Sequence, residues 1–132
     1  MRESRDAFHL AIPARDLDEA FTFYVTGLGC KLARRYDDRI TLDFFGDQVV
    51  CHLSEAWERE VGMYPRHFGV TFREWDDFER LEHLAEHRGL RFFAEPFTRF
   101  EGLVEEHRSF VLRDPSNNLL EFKSYRDPRM MY

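Results

Sequence analysis

A short apolar strand opened by a histidine, leading into an Asp-started amphipathic helix, occurs twice in this chain. The first copy is Phe8-His9-Leu10-Ala11-Ile12-Pro13 followed by Asp16. The second is His67-Phe68-Gly69-Val70-Thr71-Phe72 followed by Asp76. The two histidines are 58 residues apart, and the helix-starting aspartates and helix-ending glycines (Gly29 and Gly89) are 60 apart. Two long copies at one offset describe a pseudo-twofold pair of modules, not a solenoid. A histidine at the same place in each copy is a way to converge ligands on one metal ion from both halves of a small protein.

Within each copy the pattern reads β-α-β-β-β. Asp16 with Glu19 has the capping-box spacing. Leu17, Ala20, Phe21, Tyr24, Val25 and Leu28 then recur at helical spacing up to Gly29. Strands are expected over Cys30 to Arg35, Arg39 to Phe45 and Gln48 to Leu53, with hairpin links at Asp37-Asp38 and Gly46-Asp47. In the second copy Asp76 with Glu79 repeats the cap, and Phe78, Leu81, Leu84 and Ala85 form the apolar helix face. Strands are expected over 91–94, 109–113 and 118–124, the last two joined by a turn at Asp114-Pro115-Ser116-Asn117. The stretch from Glu95 to Glu106 reads as an irregular lid or binding loop. The whole is one α+β domain, residues 1–132, with module 1 at about 7–54 and module 2 at about 66–125.

Composition narrows the function. The formal charge is -6, and the arginines are interspersed with Asp and Glu, so no nucleic-acid partner is expected. No run of about 20 apolar residues offers a membrane span. The N-terminal Met1-Arg2-Glu3-Ser4-Arg5-Asp6 lacks an apolar export core. Cys30 and Cys51 read as free thiols of a cytoplasmic protein. Fourteen phenylalanines are many for this length, and Phe44, Phe100 and Val111 are expected to shape a pocket.

Strand alternation locates candidate ligands. Phe8, Leu10 and Ile12 form one packing set and Phe68, Val70 and Phe72 another. His9 then shares the opposite face with Ala11, and His67 shares it with Gly69, small neighbours that leave room for a guest. On the last strand of each module stand His52 and Glu121. First and last strands thus supply a pseudosymmetric quartet, His9, His52, His67 and Glu121. Imidazole with carboxylate suits a borderline divalent ion such as Fe(II), Zn, Ni, Co or Mn. His107, in register with Val111, is a candidate acid or base at the cavity mouth or a surface residue. Lys123 shares parity with Glu121 and is a candidate salt-bridge partner for it. His83-Leu84-Ala85-Glu86-His87 spells an inverted zinc-peptidase motif. Helical geometry turns its histidines away from the apolar stripe, toward solvent.

These pieces resemble the vicinal-oxygen-chelate superfamily, which includes glyoxalase I, extradiol dioxygenases, methylmalonyl-CoA epimerase, and fosfomycin and bleomycin resistance proteins. The resemblance is carried by Phe8 to Pro13, by Asp16 to Gly29 with Phe23-Tyr24 and Gly27-Leu28-Gly29, by His67-Phe68-Gly69-Val70, and by Phe110 through Glu121. It implies two βαβββ modules forming a curved mixed sheet around a metal ion, usually in a homodimer. His9, His67 and Glu121 match the two-His, one-carboxylate triad of the dioxygenase branch. His52 falls where glyoxalase-type members place a further Glu or Gln, as a fourth ligand or as a catalytic base beyond the ligand sphere. Catechol-cleaving members carry a tyrosine where Val111 stands, and a glycine is usual at Asn117. The resemblance therefore implies a metal-dependent lyase, isomerase or dioxygenase acting on a small substrate with adjacent oxygens. The alternative is a non-catalytic small-molecule-binding protein of the bleomycin-resistance kind.

Overall fold

Each copy of the repeat folds into one strand, one helix and three further strands, in a computed structural model that describes residues 1–132. The first copy contains β1 (His9–Ala14), α1 (Leu17–Phe21), β2 (Lys31–Arg35), β3 (Arg39–Phe44) and β4 (Asp47–Leu53). The second contains β5 (Phe68–Phe72), α2 (Trp75–His87), β6 (Phe92–Arg99), β7 (His107–Arg113) and β8 (Leu119–Tyr125), followed by a 3-10 turn over Pro128–Met131. Each copy builds its own four-stranded sheet, ordered β1-β4-β3-β2 and β5-β8-β7-β6. First and last strands run parallel and the others antiparallel, so both sheets are mixed as expected.

The chain divides into two compact units, residues 1–59 with 115–118, and residues 60–114 with 119–132. The turn at 115–118 therefore belongs to the first unit. The Ser116 hydroxyl accepts from the Arg15 N–H at 2.9 Å, and the Asn118 amide donates to the Pro13 carbonyl at 2.9 Å. Asn117 donates to the Glu58 carbonyl at 2.9 Å and sits at φ 64°. Asparagine tolerates that left-handed backbone, which explains how it replaces glycine there.

In the first unit, Ile12, Ala14, Val49, Cys51, Ile40, Leu42 and Phe44 are buried on the sheet face that takes Leu17, Ala20, Phe23 and Tyr24. Asp16 caps α1 as expected, accepting from the Glu19 N–H at 2.8 Å. The helix does not continue as an α-helix to Gly29. From Thr22 to Gly27 it widens to a π-helix, with the Leu28 N–H reaching the Phe23 carbonyl at 2.9 Å. The wider winding buries the sequence neighbours Phe23 and Tyr24 together, their rings edge-on at 4.8 Å. Phe44 joins this packing against Tyr24 and is buried on the helix side of the sheet, so it does not line the opposite face as expected.

In the second unit, Phe78, Leu81 and Ala85 of α2 pack on the face that carries Phe110, Leu112, Leu120 and Phe122. Two local expectations change. The residue preceding the helix is Glu74, which makes no side-chain cap, and Asp76 lies inside the first turn with Asp77. There both carboxylates face the positive end of the helix dipole. β6 extends to Arg99, well past the expected 91–94. Register shifts between Phe92 and Ala94 and between Ala94 and Phe97 let this edge strand accommodate Pro96, which has no N–H to give the ladder. The irregular segment thus shrinks to residues 100–106. It is tied down internally, because Glu106 accepts from the Gly102 N–H at 2.7 Å and pairs with Arg126.

Gly69 has a different use from the one its size suggested. It lies directly across the ladder from Glu121, and a Cβ added there would stand 1.7 Å from the Glu121 carbonyl oxygen. The missing side chain is filled by the β8 backbone, not by a guest. Gly69→Ala is expected to lower the unfolding free energy by about 3 kcal/mol in a urea titration, because the obstacle is main chain. A second expectation concerns Cys30. Burial, then the charge of Asp43, push its thiol from 9.0 up to about 12. The folded state therefore holds this proton more tightly than the unfolded chain. The stabilisation is whole below pH 9 and is lost as the pH rises toward 12. Alkaline unfolding curves of the protein and of Cys30→Ala should diverge in that window, with the variant showing the flatter dependence.

Candidate metal centre

The parallel pairing of β5 with β8 sets the geometry of the second unit's candidate site. Phe68 lies across from Leu120 and Gly69 across from Glu121. His67 immediately precedes β5, and its Nε2 comes to 2.9 Å from Glu121 Oε2. Both side chains are mostly buried, at 25% and 12% exposure. Behind the imidazole, Nδ1 lies 2.7 Å from the Met63 carbonyl oxygen. A carbonyl can only accept, so Nδ1 carries a proton, and Nε2 is the ring nitrogen turned to Glu121. Glu121 Oε1 accepts from the hydroxyl of Ser109, a fully buried residue, at 3.0 Å. The carboxylate is thereby turned so that Oε2 faces the histidine.

An imidazole nitrogen and a carboxylate oxygen 2.9 Å apart need a positive charge between them. That charge is a proton or a metal ion. An imidazole anchored through Nδ1–H to a carbonyl, with Nε2 free to ligate, is the usual outer-shell arrangement of metal-binding histidines. The donors present, one imidazole nitrogen and one carboxylate oxygen, fit a borderline divalent ion. His9 in the first unit is held in the same way, with Nδ1 2.5 Å from Gln48 Oε1. No group of three or more His, Cys, Asp or Glu side chains that could hold a metal ion is gathered in the structure.

His52 does not stand where the matched-module argument put it. The ladder pairs His9 with Gln48 and His52 with Pro13, so His9 and His52 are four residues apart along the sheet, about 13 Å. One ion cannot bridge that distance. The first-module residue at Glu121's register position is Val50, across from Ala11 as Glu121 is across from Gly69. Counting from strand ends had misplaced the equivalence by one same-face step.

His107 is at the far end of its sheet. It pairs with Tyr125, four residues along β8 from Glu121, about 13 Å away. It is not an exposed surface residue. It is 6% exposed, packed against the Tyr125 ring at 4.7 Å and the Phe100 ring at 5.8 Å, with Nδ1 on the Glu105 carbonyl. Val111, directly across from Glu121, is fully buried on the site's face. Phe100 is half exposed in the 100–106 segment. His83 and His87 face solvent on α2, as expected. Ser109 was missed in the sequence. Its only signal was a small polar residue at even spacing from Val111 on an otherwise apolar strand.

A family model described as Glyoxalase/Bleomycin resistance protein/Dioxygenase superfamily matches residues 7–122. The chain belongs to this superfamily. A glyoxalase domain-containing protein, RDO1, from Mycosarcoma maydis is 30% identical over 128 residues, covering 95% of this chain and 71% of its own length. A crystal structure of a glyoxalase/bleomycin resistance protein/dioxygenase from Alicyclobacillus acidocaldarius is 70% identical with full coverage of both chains and a TM-score of 0.96. The fosfomycin resistance protein FosX from Listeria monocytogenes is 12% identical, covers 96% of this chain and 98% of its own, and has a TM-score of 0.72. That last likeness is one of fold. No helix of this superfamily member is long and apolar enough to cross a membrane.

The Ser109–Glu121 bond has a measurable consequence. Ser109→Ala leaves a carboxylate oxygen without its buried donor, and is expected to cost about 1–3 kcal/mol in chemical unfolding. Ser109→Thr, which keeps the hydroxyl, should recover part of that loss.

Proposed function

We propose that this chain is a divalent-metal-dependent enzyme acting on a small substrate with two adjacent oxygens. The observation that carries the reading is the His67–Glu121 pair, an imidazole nitrogen and a carboxylate oxygen 2.9 Å apart, with the other ring nitrogen on the Met63 carbonyl. His67 would ligate through Nε2 and Glu121 through Oε2. His9 is a candidate for a further ligand on the sequence pattern alone. His52, across from Pro13, stays outside this set. When bound, the ion supplies Lewis-acid charge to a chelated pair of substrate oxygens.

The protein's own residues do the rest. Met63 and Gln48 fix the orientation of the two imidazoles, and Ser109 fixes the carboxylate. Val111 contributes an apolar wall beside Glu121. Val50 at the register position matching Glu121 means that the first module offers no second carboxylate base there. This supports the three-ligand, dioxygenase-like branch over a glyoxalase-like proton shuttle. A cytoplasmic homodimer completes the reading, by analogy with the family.

Metal analysis of protein purified without a histidine tag tests it. The expected result is one divalent ion per chain, lost in His67→Ala, His9→Ala and Glu121→Gln and retained in His52→Ala. Retention of the ion after His67→Ala, or its absence from the unaltered protein together with an unchanged melting temperature on adding Zn, Mn, Co, Ni or Fe(II), would favour the non-catalytic binding protein.

A further inference from the structure

The face of the second sheet that carries Glu121 is organised in rows. Gly69, Glu121 and Val111 form one row across β5, β8 and β7. The next row along the strands is Thr71, Lys123 and Ser109. Same-face rows are spaced by about 6.6 Å and neighbouring strands by about 4.8 Å. Lys123 therefore stands one row from the carboxylate that receives the cation.

Lys123 is half-buried on this central strand, where lysine is uncommon unless paired. It does not form the expected ion pair with Glu121. Its ammonium lies instead 5.8 Å from the Tyr125 ring, a contact that leaves its hydrogen-bond donors unused. Ser109, directly across the ladder, is not available as a partner, because its hydroxyl is given to Glu121. Thr71, across the other edge, brings a hydroxyl to the same row.

A divalent ion at Glu121 and the Lys123 ammonium, which belongs to the adjoining row and lies against the Tyr125 ring, would be two positive charges on one sheet face. The arrangement is electrostatically consistent once an anion lies between the two, drawing on both charges. We propose that Lys123, with Thr71 beside it, receives a carboxylate of the substrate while the substrate's adjacent oxygens go to the ion. This rests on the metal reading above and narrows it to acidic substrates. Lys123 is in this sense a specificity-determining residue, and the ligands alone would not distinguish a neutral chelator from an acidic one.

Two probes that share a chelating diol and differ by one carboxylate test this directly: catechol and 3,4-dihydroxybenzoate. Their binding is measured by calorimetry on the Zn-loaded protein, a redox-inert form that cannot turn them over. The unaltered protein is expected to bind the carboxylate-bearing diol at least about tenfold more tightly. Lys123→Met should abolish that preference while retaining the ion and the affinity for catechol, and Lys123→Arg should preserve it. Equal affinity for the two diols in the unaltered protein, or an undiminished preference in Lys123→Met, overturns this inference and leaves the metal reading standing. Failure of the unaltered protein to hold an ion removes both.

Discussion

The parallel pairing of β5 with β8 is the constraint on which the second unit's site depends. It sets Glu121 across from Gly69 and brings its side chain to the imidazole of His67. The pairing is as close as it is because residue 69 has no side chain, so the Glu121 carbonyl occupies the place of a Cβ. One residue thus serves both the sheet and the site. Its register also decides which neighbours can act on the carboxylate. Ser109 reaches it from the next row of β7, Val111 walls it from across the ladder, and Lys123 follows it on the same face.

Polar groups on that face are arranged so that each histidine is half committed. Nδ1 of His67 is bound to a main-chain carbonyl and Nδ1 of His9 to a side-chain oxygen. A histidine held through one nitrogen has a fixed tautomer and a fixed aim, and it loses little further freedom when the other nitrogen finds its ligand. The opposite faces of both sheets are apolar and packed on their helices. The two modules therefore share a division of labour: one face is a core, and the other carries the polar candidate residues. They do not share equal donor sets, since Val50 occupies in the first module the place that Glu121 occupies in the second.

Much of the fold was legible because it follows from local periodicity. Strand alternation separated Phe68, Val70 and Phe72 from His67 and Gly69, and helical spacing found the buried face of α2 and, apart from the π-helical turn that buries Phe23, that of α1. The misreadings came where a local rule met a tertiary one. Asp76 looked like a cap, yet the helix begins before it. Glu95 to Glu106 looked irregular, yet bulges in an edge strand carry the chain past Pro96 to Arg99. Phe44 looked like a pocket residue, yet its parity turns it into the Tyr24 packing. His107 looked reactive, yet it is enclosed between aromatic rings at the far end of its sheet.

The sequence by itself determined the duplication, the mixed α+β modules, and the identity of His67 and Glu121 as partners, because residue spacing encodes which face a side chain takes. It also carried enough of the family's pattern to name the superfamily. Strand register, the Ser109 donor and the exclusion of His52 from His9's neighbourhood were decided only by tertiary structure. Alternation tells which side of a strand a residue occupies, but not how far along its neighbour it lies. A shift of one same-face step preserves the apolar pattern while moving a side chain by nearly 7 Å, about two residue rises. That distance separates a ligand from a bystander, and only the hydrogen-bonded ladder specifies it.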